Sequence, residues 1–186
     1  QVRRKEGLSE LMKNYIAGQL YCLPHILPMF APTINSYKRL VVGMWAPTTL
    51  TWAVDNRTVA FRALPLGEKS ARLETRVCGS DTNPYLVMAA CLASGLYGIK
   101  NKLKLQPPTS GNGYREYKYG VLPKDLNEAT KAMKKSKIAN RLFGEEFADH
   151  FIRTREWEWK QFKKDAGRFD PKEITNWELK RYFEII

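Results

Sequence analysis

The sequence predicts an α+β fold in which a partial antiparallel sheet is backed by helices. Three observations predict it. Apolar residues recur at helical spacing up to residue 30, they alternate between residues 49 and 77, and helical spacing returns from residue 84 to the end. With 186 residues, 44% hydrophobic and 27% charged, the chain is domain-sized and apolar enough to exclude wholesale disorder. The longest apolar run, Tyr85 to Tyr97, is broken by Ser94 and Gly95 and falls short of the roughly 20 residues of a membrane span.

Taken in order, Ser9 is placed to cap a first helix whose apolar positions are Leu11, Met12, Tyr15, Ile16, Leu20 and Leu23. Pro24 is expected to interrupt it, with a second short helix from His25 to Phe30. Residues 35–47 are too polar and too punctuated for a regular element. Thr49–Val54 and Thr58–Leu64 are rich in β-branched and aromatic residues, and Asp55-Asn56-Arg57 between them suits a hairpin turn. A third strand is expected over Arg72–Val77. Asn83-Pro84 opens a helix to Lys100 that is apolar on nearly every side and therefore expected to be buried. Later helices are expected over Leu126–Met133, Lys137–Phe143, Glu145–Lys164 and from Thr175, where Glu178 completes a capping box. The composition divides the chain into a core region, 1–105, a Pro/Gly/Tyr connector, 106–124, and a basic helical part, 125–186.

Charge narrows the choice of partners. Lys and Arg number 31 against 19 Asp and Glu, a net charge of +12 that favours anions and is compatible with the mitochondrial matrix. The cations of 131–141 are spread around their helix and no nucleic-acid-binding motif accompanies them, so a nucleic-acid interface is disfavoured. Cys22, Cys78 and Cys91 form no CxxC pair, and His25 and His150 lack ligand neighbours at zinc spacing. Neither a P-loop nor a nucleophile elbow is present.

The strand Arg72-Leu73-Glu74-Thr75-Arg76 holds most of the chemical information. Alternation puts Arg72, Glu74 and Arg76 on one face. Such a face is either a solvated ion-pair ladder or an anion site in which Arg forks grip phosphate or carboxylate and Glu74 offers an oxygen to a hard cation. Arg39, Arg57, Arg62 and Lys69 lie in or beside the neighbouring segments, and phosphoryl transfer needs positive charge of that density.

The blocks Asn35-Ser-Tyr-Lys-Arg-Leu40, Asp55-Asn-Arg-Thr58, Arg72-Leu-Glu-Thr-Arg76 and Asn83-Pro-Tyr-Leu86 together resemble the C-terminal part of the catalytic domain of the glutamine synthetase family. The likeness runs from Gly7-Leu-Ser to the closing Trp177-Glu-Leu-Lys-Arg-Tyr-Phe. It implies the guanido-kinase-like catalytic fold and an ATP-dependent ligase joining glutamate to ammonia or another amine, with Mg²⁺ or Mn²⁺. It further implies that Arg39 and Arg76 bind glutamate and Arg57 stabilises the transferring phosphoryl group. Arg62, Lys69 and Arg72 would contact the nucleotide, and Glu74 would ligate metal. Cytoplasmic residence and oligomers also follow from the likeness.

Two departures are visible. The glutamate that the family carries just before Ala-Pro is here Trp45, and an indole is no base. Family members are also more than twice as long. The chain is therefore expected to be inert alone. It is read as a split subunit completed by its other half or, alternatively, as an inactive accessory subunit of a larger assembly, exposing apolar surface on its first helix and an open sheet edge.

Overall fold

The computed structural model describes residues 7–65 and 69–184. Helix α1 spans Glu10–Ile26, and the Ser9 hydroxyl accepts the Met12 N–H as expected of its cap. The helix runs on through Pro24, which sits in its last turn, and a 3₁₀ turn over Leu27–Met29 follows. The proline forgoes its own bond to the turn before it, yet the helix runs one further half-turn to Ile26 before the chain tightens. Within 35–47, expected to be irregular, Ser36–Arg39 forms a one-turn helix, α2, with Ser36, Tyr37 and Lys38 buried.

Three short strands follow: β1 Trp52–Val54, β2 Phe61–Leu64 and β3 Arg72–Thr75, in the order β1-β2-β3. Only the β2–β3 pair is antiparallel; β1 and β2 run parallel, so the sheet is mixed and the expected hairpin is absent. Residues 55–60 make a return instead. Asp55 enters the left-handed region at φ 47°, and the Asn56 side chain accepts the Thr58 N–H. The N–H groups of Ala60 and Phe61 then both meet the Thr51 carbonyl, so β2 starts level with β1. Parallel neighbours ordinarily need a long crossover. With strands of three and four residues, a short return suffices.

Helix α3, Pro84–Lys100, is capped by Asn83, whose Oδ1 accepts the N–H groups of Tyr85 and Leu86. It crosses α1 where Gly18 meets Gly98 and Tyr15 lies over Gly95. It is not buried all round: Tyr85, Met88, Leu92 and Leu96 face water. On α1 the expectation fails in the opposite sense, since Ile16 and Leu20 are buried and Leu11 is exposed. Helices α4 (Leu126–Lys135), α5 (Ile138–Phe143), α6 (Glu145–Asp165) and α7 (Asn176–Tyr182) complete the chain, and the Thr175–Glu178 capping box is present. One apolar core joins sheet and helices, with Phe30, Trp52, Phe61, Met133 and Phe162 among its fully enclosed members. No helix among the described residues is long and apolar enough to cross a membrane.

The C-terminal helices grip the segment that carries α2. Lys38 Nζ lies 2.5 Å from Glu178 Oε2 with both side chains buried, and it also donates to the Glu173 carbonyl. Tyr182 Oη accepts the Ile34 N–H and donates to Glu158. On the other side, Asp81 accepts the hydroxyls of Thr33 and Ser36.

Candidate active site

Register brings the charges of β2 and β3 together. Arg62 is paired with Glu74 across the antiparallel ladder, so both project from one face, away from Phe61, Leu73 and Thr75. Arg62 Nη1 donates to Glu74 Oε2 at 2.9 Å, and Arg76 Nη1 donates to Glu74 Oε1. Arg62 also holds Asp55, with Nε 3.1 Å from Oδ1. Arg76 fastens two loops to the strand: its Nε donates to the Arg57 carbonyl at 3.1 Å and its Nη2 to the Trp45 carbonyl at 2.7 Å. Arg39, at the end of α2, donates at 2.9 Å to the carbonyls of Arg76 and Val77. It thus sits behind Arg76 and spends two of its donors on backbone.

Of the residues singled out from sequence, the structure gathers Arg62, Glu74 and Arg76 into one bonded cluster and backs it with Arg39. Arg57 is exposed on the return between β1 and β2, reaching the cluster through its carbonyl. Arg72 shares the face by alternation, yet its guanidinium turns back to the Ser70 carbonyl and does not join the ladder. Lys69 is exposed in the turn before β3. Asp55 was missed as a member of the site; only the parallel return brings it under Arg62, and a hairpin reading hides that. The carbonyls of Trp45 and Arg57 carry no sequence signal at all. A cavity of about 890 Å³ between α5 and α6 shares no residue with the cluster, which is an open face on the sheet.

The electrostatics follow from these contacts. Burial pushes the Glu74 carboxyl up, but the bonds from Arg62 and Arg76 outweigh it and hold the group below the ordinary glutamate range. A depressed carboxyl supports the fold above its unfolded value and loses that support as pH falls through the folded one. A carboxyl-carbon NMR titration is therefore expected to place the Glu74 midpoint below those of the exposed glutamates. A midpoint level with them would show that the ladder does not persist in solution. Burial, and then repulsion by Arg76, lowers Arg39, against a counter-pull from Cys78 and Asp81.

Two arginines, Arg62 and Arg76, meet two carboxylates here, with Arg39, Arg57 and Arg72 close by, and the uncompensated donors suit phosphate or carboxylate oxygens. A divalent cation is different. Both Glu74 oxygens already receive guanidinium, Asp55 is held by Arg62, and the described residues contain no group of three His, Cys, Asp or Glu able to hold a metal. Mg²⁺ asks for near-octahedral oxygen coordination. The described residues alone do not fit it.

Comparison with known proteins supplies a second line. The family described as "Glutamine synthetase, catalytic domain" matches residues 2–182. A relative described as "Type-1 glutamine synthetase 2", from Dictyostelium discoideum, is 54% identical over 96% of this chain and 33% of its own length. A "Glutamate--isopropylamine ligase" of Pseudomonas sp is 41% identical over 97% of this chain and 38% of its own. A solved structure described as "GmaS/ADP complex-Conformation 1" superposes with a TM-score of 0.77 at 28% identity, covering 98% of this chain and 42% of that one. The chain spans 33% to 42% of the length of these proteins.

Proposed function

Because the chain belongs to the glutamine synthetase catalytic-domain family, we propose that it supplies the arginine face of an ATP-dependent ligase that joins glutamate to an amine. The observation that carries this is the Arg62–Glu74–Arg76 ladder, with Arg57 beside it and Arg39 behind it. In the proposed reaction the γ-carboxylate of glutamate takes the terminal phosphoryl group of ATP and ADP leaves. The amine nitrogen then attacks the acyl carbon, the C–N bond forms, the C–O bond to phosphate breaks, and the nitrogen loses a proton. Arg57, without a side-chain ion pair among the described residues, would meet the transferring phosphoryl group from its exposed return, where fixed positive charge lowers the barrier. Arg62, Arg72 and Lys69 would face the nucleotide phosphates, and Arg76 and Arg39 the glutamate. Glu74 would contribute one oxygen to Mg²⁺ or Mn²⁺ only alongside carboxylates from other polypeptide, so no step is assigned to metal here.

Trp45 bears on the amine. Its backbone is at φ 54°, the residue is 65% exposed, and its own carbonyl is held by Arg76. An indole cannot take a proton from ammonium, but its face attracts an organic ammonium ion. Isopropylamine and ethanolamine, named for two relatives, are of that class. The proposed acceptor is therefore an organic amine.

The shortage of carboxylates also favours a second reading, an inactive accessory subunit. One assay separates the two. The chain is mixed with glutamate, ATP, Mg²⁺ and either ammonia or isopropylamine, alone and with the portion of the Dictyostelium relative outside the match. The expected outcome is γ-glutamyl product only in the mixture, about tenfold more with isopropylamine. Arg57→Ala is expected to lower kcat about 100- to 1,000-fold, as loss of one transition-state donor does, and Trp45→Glu to shift preference toward ammonia. Product from the chain alone would refute its dependence on other polypeptide. No product with any amine would leave the accessory reading standing.

A further inference from the structure

The Pro/Gly/Tyr connector, residues 106–124, is tied to the return that carries Arg57. It runs beside β1, where the Trp52 indole N–H donates to the Gln106 carbonyl at 2.8 Å and the Leu122 N–H to the Thr48 carbonyl at 2.9 Å. Between these points Gly113–Arg115 makes a 3₁₀ turn, capped by the Asn112 side chain. That turn grips both neighbours of Arg57. Asn56 Nδ2 donates to the Gly111 carbonyl at 2.6 Å, and the Gly113 N–H donates to Thr58 Oγ1 at 2.7 Å. The Thr58 hydroxyl donates in turn to Asn56 Oδ1 at 2.7 Å, so the bonds close a ring around residue 57. On its other side the Gly113 carbonyl accepts the Thr49 hydroxyl at 2.8 Å. A Cβ at residue 113 would lie 2.6 Å from the Thr58 carbonyl oxygen and 2.9 Å from its carbon. Both are backbone atoms, and Gly113 is not left-handed, so glycine stands there for close approach and not for its own φ.

We infer that the connector turn at Gly111–Tyr114 is the positioning element of Arg57. It fixes the residues on either side of Arg57, and with them the point from which the exposed guanidinium reaches the transferring phosphoryl group. Asn56, Thr58 and Gly113 are positioning residues that act through Arg57. The need for such a device is physical. Arg62 and Arg76 are aimed by the Glu74 carboxylate between them. Arg57 has no side-chain ion pair among the described residues, so its aim is set by its backbone, whose carbonyl is bonded to Arg76 and whose neighbours are bonded to the connector. A misplacement of about 1 Å can cost roughly 100-fold in rate. The catalytic role of Arg57 rests on the ligase reading; the ring of bonds does not.

Variants of the full chain test this, assayed with isopropylamine in the mixture with the unmatched portion of the Dictyostelium relative. Gly113→Ala parts the connector from the return, and Thr58→Val deletes the hydroxyl that joins them. Each is expected to lower kcat about 10- to 100-fold while KM for ATP and glutamate stays within about twofold, because the lost interaction belongs to the transition state. Thr58→Ser keeps the hydroxyl and is expected to recover all but about threefold of that loss. In an Arg57→Ala background Gly113→Ala is expected to change kcat by less than about threefold, since both remove one shared contribution. A readout without catalysis is amide hydrogen exchange in the full chain. Exchange at residue 113 is expected to speed about tenfold or more in Thr58→Val and not in Thr58→Ser, with the amides of α6 unchanged. Unaltered exchange at residue 113 overturns the inference. So does faster exchange with an unchanged kcat, or a kcat that falls as far without Arg57 as with it; the connector is then scaffold only, and the ligase reading stands. No product from the wild-type mixture, with the exchange response intact, sinks the ligase reading and leaves the connector as what holds Arg57 in place.

Discussion

Gly18→Ala lowers the stability of the chain by about 1–2 kcal/mol, although alanine is the better helix former. At an open helical position the exchange gains about 1 kcal/mol. At residue 18 a Cβ would lie 2.2 Å from the Ser94 carbonyl oxygen and 2.6 Å from the Gly98 Cα. Both are backbone atoms of α3, so no side chain can rotate aside and the two helices must move apart. Overpacking of this kind costs about 1–3 kcal/mol and occasionally more, and with rigid neighbours on both counts the steric cost wins. For a chain of this size the melting temperature is expected to drop by roughly 2–8 °C. Gly98→Ala meets the Asn14 carbonyl at 2.1 Å and is expected to behave alike. Combining the two does not double the loss, because both force the same separation. Thermal unfolding of the full chain is the measurement, and a melting temperature unchanged or raised in Gly18→Ala would show that the α1–α3 crossing is looser than this geometry.

Lys38→Met has the larger expected effect, about 3–5 kcal/mol, because it strands a buried carboxylate. The Lys38 and Glu178 side chains are only 6% and 2% exposed, so solvent does little to screen the pair. Glu178 retains its capping bonds from the Thr175 N–H and hydroxyl, but its Oε1 has no partner, and removal of Lys38 leaves the charge uncompensated. The double substitution Lys38→Met/Glu178→Gln removes the charge as well and keeps an acceptor for the cap. It is expected to recover most of the loss, as apolar replacement of buried pairs commonly does. Urea unfolding of the three proteins tests this. A double variant as unstable as the single one would mean that Lys38 contributes through packing on Phe169, 5.7 Å from its ammonium, and not through the carboxylate.

Local grammar carried much of the fold into the sequence. Ser9, Asn83 and Thr175 are readable as caps because the donor they satisfy lies two or three residues away. The shared face of Arg72, Glu74 and Arg76 is likewise readable, since alternation along a strand is local. What failed was relational. Asp55-Asn56-Arg57 signals a change of direction, but whether the chain leaves it as a hairpin or as a return is decided by which carbonyl Ala60 and Phe61 meet. The all-round apolar character of α3 means removal from water without saying whose surface does the removing. Gly18 and Gly98 look like helix weaknesses until the partner helix is in place. The pairing of Lys38 with Glu178 has no local sign whatever, and Asp55 enters the site only after the direction of β2 is known.

The clamp on α2 also sets an order of events during synthesis. Lys38 and Glu178 are 140 residues apart, and Ile34 and Tyr182 are 148 apart. At about 5–20 residues per second, a ribosome needs roughly 7–28 s to make the polypeptide between them. Until then the turn bearing Arg39 has its nearer anchor, Asp81, but not its farther one. The nascent chain therefore carries a half-secured α2 segment until the residues of α7 have been translated. A stop codon before Glu178 would leave the arginine face written in full and the hand that holds it missing.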